Sequence, residues 1–178
     1  MPDKPPDTPA QSGAQPTTSP QEGDAPPLVV KGQYIKDLSF ENPRAPTSLM
    51  ELKQPPEVAV KVDVQTQSLA ESNYEVVLTV NAEAKSGEDT LFLVELSYGG
   101  VFNLNNVPQD YIQPLLLIEC PRLLFPFARN IIADATRDGG FPALLIQPVD
   151  FIALYKRQHG DPPTQQPQPG KPQPAGKG

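Results

Sequence analysis

The sequence predicts an α+β domain: a four-stranded antiparallel β-sheet with helices packed on one face. Apolar residues alternate with period two through four segments between residues 34 and 102, and helical spacing replaces that period after residue 103. Strands followed by helices, with no alternation of the two, favour a sheet covered on one side over a doubly wound fold. The third observation is the placing of proline. Of 24 prolines, eight fall in residues 1–27 and six in residues 160–178, while the middle segment has the apolar content of a globular domain. One domain over residues 28–159 is expected. The flanking 1–27 and 160–178, rich in Pro, Gln, Ser, Thr and Gly, have too little to bury to offset the entropy of ordering and are expected to be disordered tails.

Each element follows from its own pattern. In residues 34–41, strict alternation puts Tyr34, Leu38 and Phe40 on one face and Ile35, Asp37, Ser39 and Glu41 on the other. Residues 57–65 set Val58, Val60, Val62 and Val64 against Glu57, Ala59, Lys61 and Asp63. Residues 74–84 set Tyr74, Val76, Leu78, Val80, Ala82 and Ala84 against Glu75, Val77, Thr79, Asn81 and Glu83. Residues 90–102 turn Phe92, Val94, Leu96 and Tyr98 inward and Leu91, Leu93, Glu95 and Ser97 outward. Short turns at 71–73 and 85–88 make the last three strands an antiparallel meander. Gly99-Gly100 reads as a bulge or a bend at the strand end. Asn106 is placed to cap a helix that admits Pro108 in its first turn and is kinked by Pro114. Cys120-Pro121 marks a break. A second helix then buries a stripe of Leu124, Phe127, Ala128, Ile131, Ile132 and Ala135 and stops at Gly139-Gly140. A short last helix over residues 148–158 has Asp150 near its positive end and Lys156 and Arg157 near its negative end, in keeping with the macrodipole.

Composition narrows the function. No apolar run is long enough to span a membrane, and the N-terminal residues lack the basic and apolar stretches of a secretory signal, so a cytoplasmic protein is expected. A single cysteine, Cys120, and a single histidine, His159, leave no disulfide and no Cys/His metal site within one chain. The net charge of −7 and a pI near 4.7 argue against nucleic acid as a partner. No phosphate loop and no nucleophile–base pair can be found, and Cys120, set among apolar residues, reads as a buried thiol. An interaction protein without cofactor is the reading, against two rivals: an oligomeric adaptor, or a small oligomeric enzyme with a site between subunits.

Two excesses point to what it contacts. The outward face of the sheet carries Asp37, Glu41, Glu57, Asp63, Glu75, Glu83 and Glu95 against Lys61, with Val77, Leu91 and Leu93 set among them. That suits a basic partner steered by charge, although an ordinary solvated face of an acidic protein would look alike. Residues 101–127 hold more apolar side chains than one sheet face can hide, which implies an oligomer, an apolar groove, or both.

The string Cys120-Pro121-Arg122-Leu123-Leu124-Phe125-Pro126-Phe127-Ala128-Arg129, then Gly139-Gly140-Phe141-Pro142 and Gln147-Pro148-Val149-Asp150-Phe151, closely resembles the bacterial protein-export chaperone family SecB. Residues 34–43, Tyr74 to Leu78 and Gly99-Gly100-Val101-Phe102 add to the match, which spans about residues 30–158. The resemblance implies a homotetramer, a dimer of dimers, that holds unfolded precursor proteins and passes them to the SecA motor ATPase, with no enzymatic activity, no cofactor and no insertion into membranes. It places the contact with the motor's basic, zinc-bearing C-terminal segment on Asp37, Glu41, Leu93 and Glu95, all members of the acidic face. It places the precursor groove on Val58, Val60, Val62, Phe102, Leu104, Val107, Tyr111 and Phe125. Pro114 and the apolar run Leu115 to Ile118 depart from the family's usual first helix.

Overall fold

A computed structural model describes residues 27–50 and 56–160. Apart from Pro27 and Gly160, the two expected tails lie outside the described residues. Four strands, β1 (Leu28–Glu41), β2 (Glu57–Ser68), β3 (Asn73–Ser86) and β4 (Asp89–Leu104), form one antiparallel sheet in the order β1-β4-β3-β2. The meander β2-β3-β4 is the expected one. Glu71 and Ser72 take left-handed backbone angles in the first tight turn, and the second turn closes between Ser86 and Asp89. After β1 comes the one-turn helix α1 (Thr47–Met50), and β1 pairs with β4, which leaves β1 and β2 as the two edges.

The inner face is the core. Val76, Leu78, Val80, Ala82 and Ala84 of β3 and Phe92, Val94, Leu96, Tyr98, Phe102 and Leu104 of β4 are buried under the helices. Leu91, expected outward, is buried too: pairing steps from Ala84↔Phe92 to Lys85↔Thr90, and the unpaired Leu91 turns into the core. Gly99 and Gly100 are not a bulge. They pair regularly with Val77 and Val76 inside a strand that runs on to Leu104.

β1 departs from strict alternation, because its register against β4 slips between Val30 and Gly32 and again between Ile35 and Asp37. Directly opposed residues of an antiparallel ladder share a face. Ile35 therefore joins Leu38 and Phe40 on the inner side, opposite Tyr98, Leu96 and Val94, and Tyr34 moves to the outer side with Asp37, the reverse of the expected assignment for both. The sign was present in the sequence: strict alternation would have turned Lys36 into the core, and an unpaired ammonium does not stay there.

Helical structure runs without interruption from α2 (Gln109–Pro114), through a π-helical turn (Leu115–Glu119), into α3 (Cys120–Asp138). Pro114 and Pro121 each remove a backbone donor. The chain answers by widening one turn, in which the Cys120 N–H reaches the Leu115 carbonyl five residues back, and no break forms at Cys120-Pro121. Asn106 does not cap α2. It has a left-handed φ of 55°, and Pro108 occupies the cap position. On α3 the buried stripe is Cys120, Pro121, Leu124, Phe125, Ala128, Ile132 and Thr136; Phe127, expected within it, is 51% exposed and stacks on Tyr98. Gly139 keeps right-handed angles, and Gly140, at φ 90°, makes the left-handed stop.

From Phe141 to Asp150 the chain is irregular. It is held by the fully buried Thr136, whose hydroxyl lies 3.0 Å from the Ile132 and Ala133 carbonyls and accepts the Leu144 N–H at 2.9 Å. α4 (Phe151–His159) opens on Asp150, whose carboxylate accepts the Ala153 N–H at 3.0 Å, and ends on Lys156, Arg157 and His159, in keeping with the macrodipole. No helix among the described residues is long and apolar enough to cross a membrane.

Candidate functional site

The outer face of β1 and β4 gathers one predicted set. The register pairs Asp37 with Ser97, Ser39 with Glu95 and Glu41 with Leu93, so Asp37, Glu41, Leu93 and Glu95 lie on one face of two adjacent strands. Opposed residues there stand about 5 Å apart. The three carboxylates are exposed and Leu93 is half-buried. Among the described residues, the ion pairs of this face belong to other acids. Lys36 reaches Glu75 at 2.8 Å, and Lys85 reaches Glu83 at 3.0 Å. The outward acids therefore face Lys36 and Lys85 as well as Lys61, and two of the seven are already neutralised from within. The free charge is concentrated accordingly at Asp37, Glu41 and Glu95 on the β1 side and Glu57 and Asp63 on β2.

Glu75 is the exception on this face. It is 8% exposed and accepts from both the Tyr34 hydroxyl and the Lys36 ammonium. Lys36 first, and Tyr34 second, hold its carboxyl below the usual range, while the same hydrogen bond pushes the Tyr34 phenol up to about 12. Tyr34 spans β4 to reach β3 because Gly99 lies beneath its ring: a Cβ there would stand 2.8 Å from Tyr34 Cζ. Sequence reasoning missed Tyr34 and Lys36, and the misplaced Lys36 was the signal that could have found them.

The second predicted set is divided by the fold. Val58 and Val60, on the helix side of the edge strand β2, are 40% and 38% exposed. Val62, Val107 and Tyr111 are half-buried. Phe102, Leu104 and Phe125 are buried within the core of the single chain, where they line the inner wall and offer no open surface. The π-helical turn packs near β2 and β3, which leaves the apolar side of β2 only partly covered.

Cys120 is fully buried, and burial first, then Glu119, pushes its thiol up to about 12, which suppresses the thiolate a nucleophile needs. His159 stacks on Tyr155 with ring centroids 5.0 Å apart. Among the described residues no cluster of three His, Cys, Asp or Glu could hold a metal ion.

Comparison with known proteins places the chain in a family. The family described as "Preprotein translocase subunit SecB" matches residues 21–161. A protein-export protein SecB of Rhodopseudomonas palustris (strain BisB5) is 56% identical over 145 residues, covering 82% of this chain and 91% of that protein. One from Bradyrhizobium sp. (strain BTAi1) is 53% identical over 146 residues, covering 82% and 88%. Among solved structures, the Mycobacterium tuberculosis Rv1957 SecB-like chaperone, in complex with a peptide from the Rv1956 HigA1 antitoxin, superposes with a TM-score of 0.58 at 11% identity over 68% of this chain and 90% of that one, a likeness of fold. With a family match across most of its length and relatives more than half identical, the chain belongs to the SecB family of protein-export proteins.

Proposed function

We propose that this export chaperone works through two separate surfaces: an apolar strip on the helix side of β2 that takes extended, unfolded precursor segments, and the outer face of β1 and β4 that docks the SecA motor. The observation that carries the reading is the separation itself. Val58 and Val60 are exposed on one face of the sheet, and Asp37, Glu41, Leu93 and Glu95 are grouped on the opposite face at the far edge. A precursor can then remain bound while the motor docks. An unfolded chain would bury apolar side chains against β2 at roughly 25 cal/mol per Å² and pair its backbone along the open strand edge. Affinity then tracks unfoldedness, because a folded precursor has neither to offer. The partner at the acidic face is the basic, zinc-bearing C-terminal segment of SecA, drawn by charge and seated on Leu93. Any metal belongs to that partner.

A homotetramer in the cytoplasm fits the apolar surface left over. Ile35 and Leu38 on the inner side of β1 are 49% and 41% exposed, and Leu123 and Phe127 of α3 are 42% and 51% exposed. These four supply a surface for further copies of the chain. The working unit is residues 28–159, with no catalytic role and no cofactor of its own, so removal of 1–27 and 160–178 leaves export activity intact. The test is a binding pair: an unfolded precursor is retained and its folded form is not, while the Asp37→Lys, Glu95→Lys double variant loses SecA and keeps the precursor. Normal SecA binding by that variant overturns the docking assignment, and equal binding of folded and unfolded precursor overturns the holding activity.

A further inference from the structure

The irregular strand β1 is tied to a strand it does not touch. Glu75 belongs to β3, Tyr34 and Lys36 belong to β1, and β4 lies between them. Tyr34 and Lys36 stand on either side of Ile35, and the register slips between Ile35 and Asp37, so both donors to Glu75 border the bulge. Gly99 supplies the room for the crossing. A bulge leaves one residue without a partner, and the half-open apolar side of β1, with Ile35 and Leu38 49% and 41% exposed, specifies only weakly which residue that is. A slip of one position would turn Asp37 from the outer side toward Leu96.

We propose that Lys36, Tyr34 and Glu75 are positioning residues for the acidic docking surface: they anchor the β1 bulge, and the anchored bulge sets Asp37 against Ser97, in line with Glu95 and Leu93. The inference rests on the reading that this surface docks SecA. It explains why a base stands beside Asp37 on a surface meant for a basic partner, and why Glu75 is buried and committed internally while Asp37, Glu41 and Glu95 are exposed.

Lys36→Gln separates positioning from plain electrostatics, because the two predict opposite signs. Removing a positive charge from an acidic surface should tighten a basic ligand if charge alone matters. If Lys36 positions the bulge, a zinc-loaded synthetic peptide of the SecA C-terminal segment binds roughly fivefold to tenfold more weakly. Hydrogen exchange of the β1 amides from Ile35 to Ser39, measured without peptide, rises in parallel, and binding of an unfolded precursor is unchanged. Tyr34→Phe, which keeps the ring over Gly99 and the net charge, shifts both readouts in the same direction by less. Lys36→Gln with Glu75→Gln recovers part of the loss, since no buried carboxylate is left without its counter-charge. Tighter peptide binding by Lys36→Gln, or β1 exchange equal to that of the unsubstituted protein, overturns the anchor. Failure of the unsubstituted protein to bind the peptide overturns instead the docking reading beneath it.

Discussion

The two edge strands of this sheet solve opposite problems. β2 pairs with β3 through twelve residues without a single slip, from Glu57↔Lys85 to Ser68↔Tyr74, and shows exposed valines on its helix side. β1 slips twice against β4 and is tied through Tyr34 and Lys36 to Glu75 on a third strand. A regular edge with small apolar side chains and free backbone groups accepts any extended chain, since backbone pairing is indifferent to sequence. A bulged and anchored edge holds a few side chains in one arrangement and suits one partner. On the proposed reading, promiscuity and specificity sit on opposite edges of one sheet, separated by the regularity of register.

The largest effect should come from reversing charge on the specific edge. Asp37→Lys with Glu95→Lys should weaken the SecA segment by about 100-fold or more, roughly 3 kcal/mol, and leave precursor binding within twofold, as read by calorimetry with each ligand. Equal losses for both ligands would merge the two surfaces into one. A steric change comes next. Gly99→Ala places a methyl 2.8 Å from Tyr34 Cζ, and displacing that ring should cost about 1–3 kcal/mol, a fall of several degrees in Tm, together with weaker docking. On the other edge, Val58→Ser with Val60→Ser should weaken an unfolded precursor about tenfold and spare SecA, since the two valines together contribute on the order of 1.4 kcal/mol. The smallest effect is a pH response confined to β1. The Glu75 carboxyl is held below its ordinary 4.5, so its contribution is complete above that pH and is lost only as pH falls through the lower folded value. The Tyr34 phenol is pushed up, so its contribution is complete below 10.0 and is lost as pH rises from there toward about 12. Protection of the β1 amides, relative to intrinsic exchange, should therefore fall at both extremes, and Tyr34→Phe should remove the alkaline limb and weaken the acid one.

Much of the arrangement was legible from local pattern. Period-two alternation assigned both faces of β2 and β3 correctly, because the two strands pair with each other without a slip. Asp150 at the positive end of α4 followed from the helix macrodipole, and the burial of Cys120 from its apolar setting. Several errors lie where a residue is inserted or a donor is missing. Alternation cannot count past a bulge, so Tyr34, Ile35 and Leu91 were assigned to the wrong sides. A proline rule cannot tell a break from a widened turn, so the π-helical segment was read as an interruption. The precursor set was divided for a further reason: Phe102 in the core and Val60 at an exposed edge differ only in what lies above them.

By itself, then, the sequence determined the fold class, the meander β2-β3-β4, the acidic character of one face, and through its long motifs the family. These depend on residue type and near neighbours, which the chain states directly. Tertiary structure alone decided that β1 lies beside β4, that Glu75 is withdrawn from the acidic face by Lys36 and Tyr34, and that Phe102, Leu104 and Phe125 close the core while Val58 and Val60 stay open. Register and burial are relations between segments far apart in the chain, and no local periodicity encodes them.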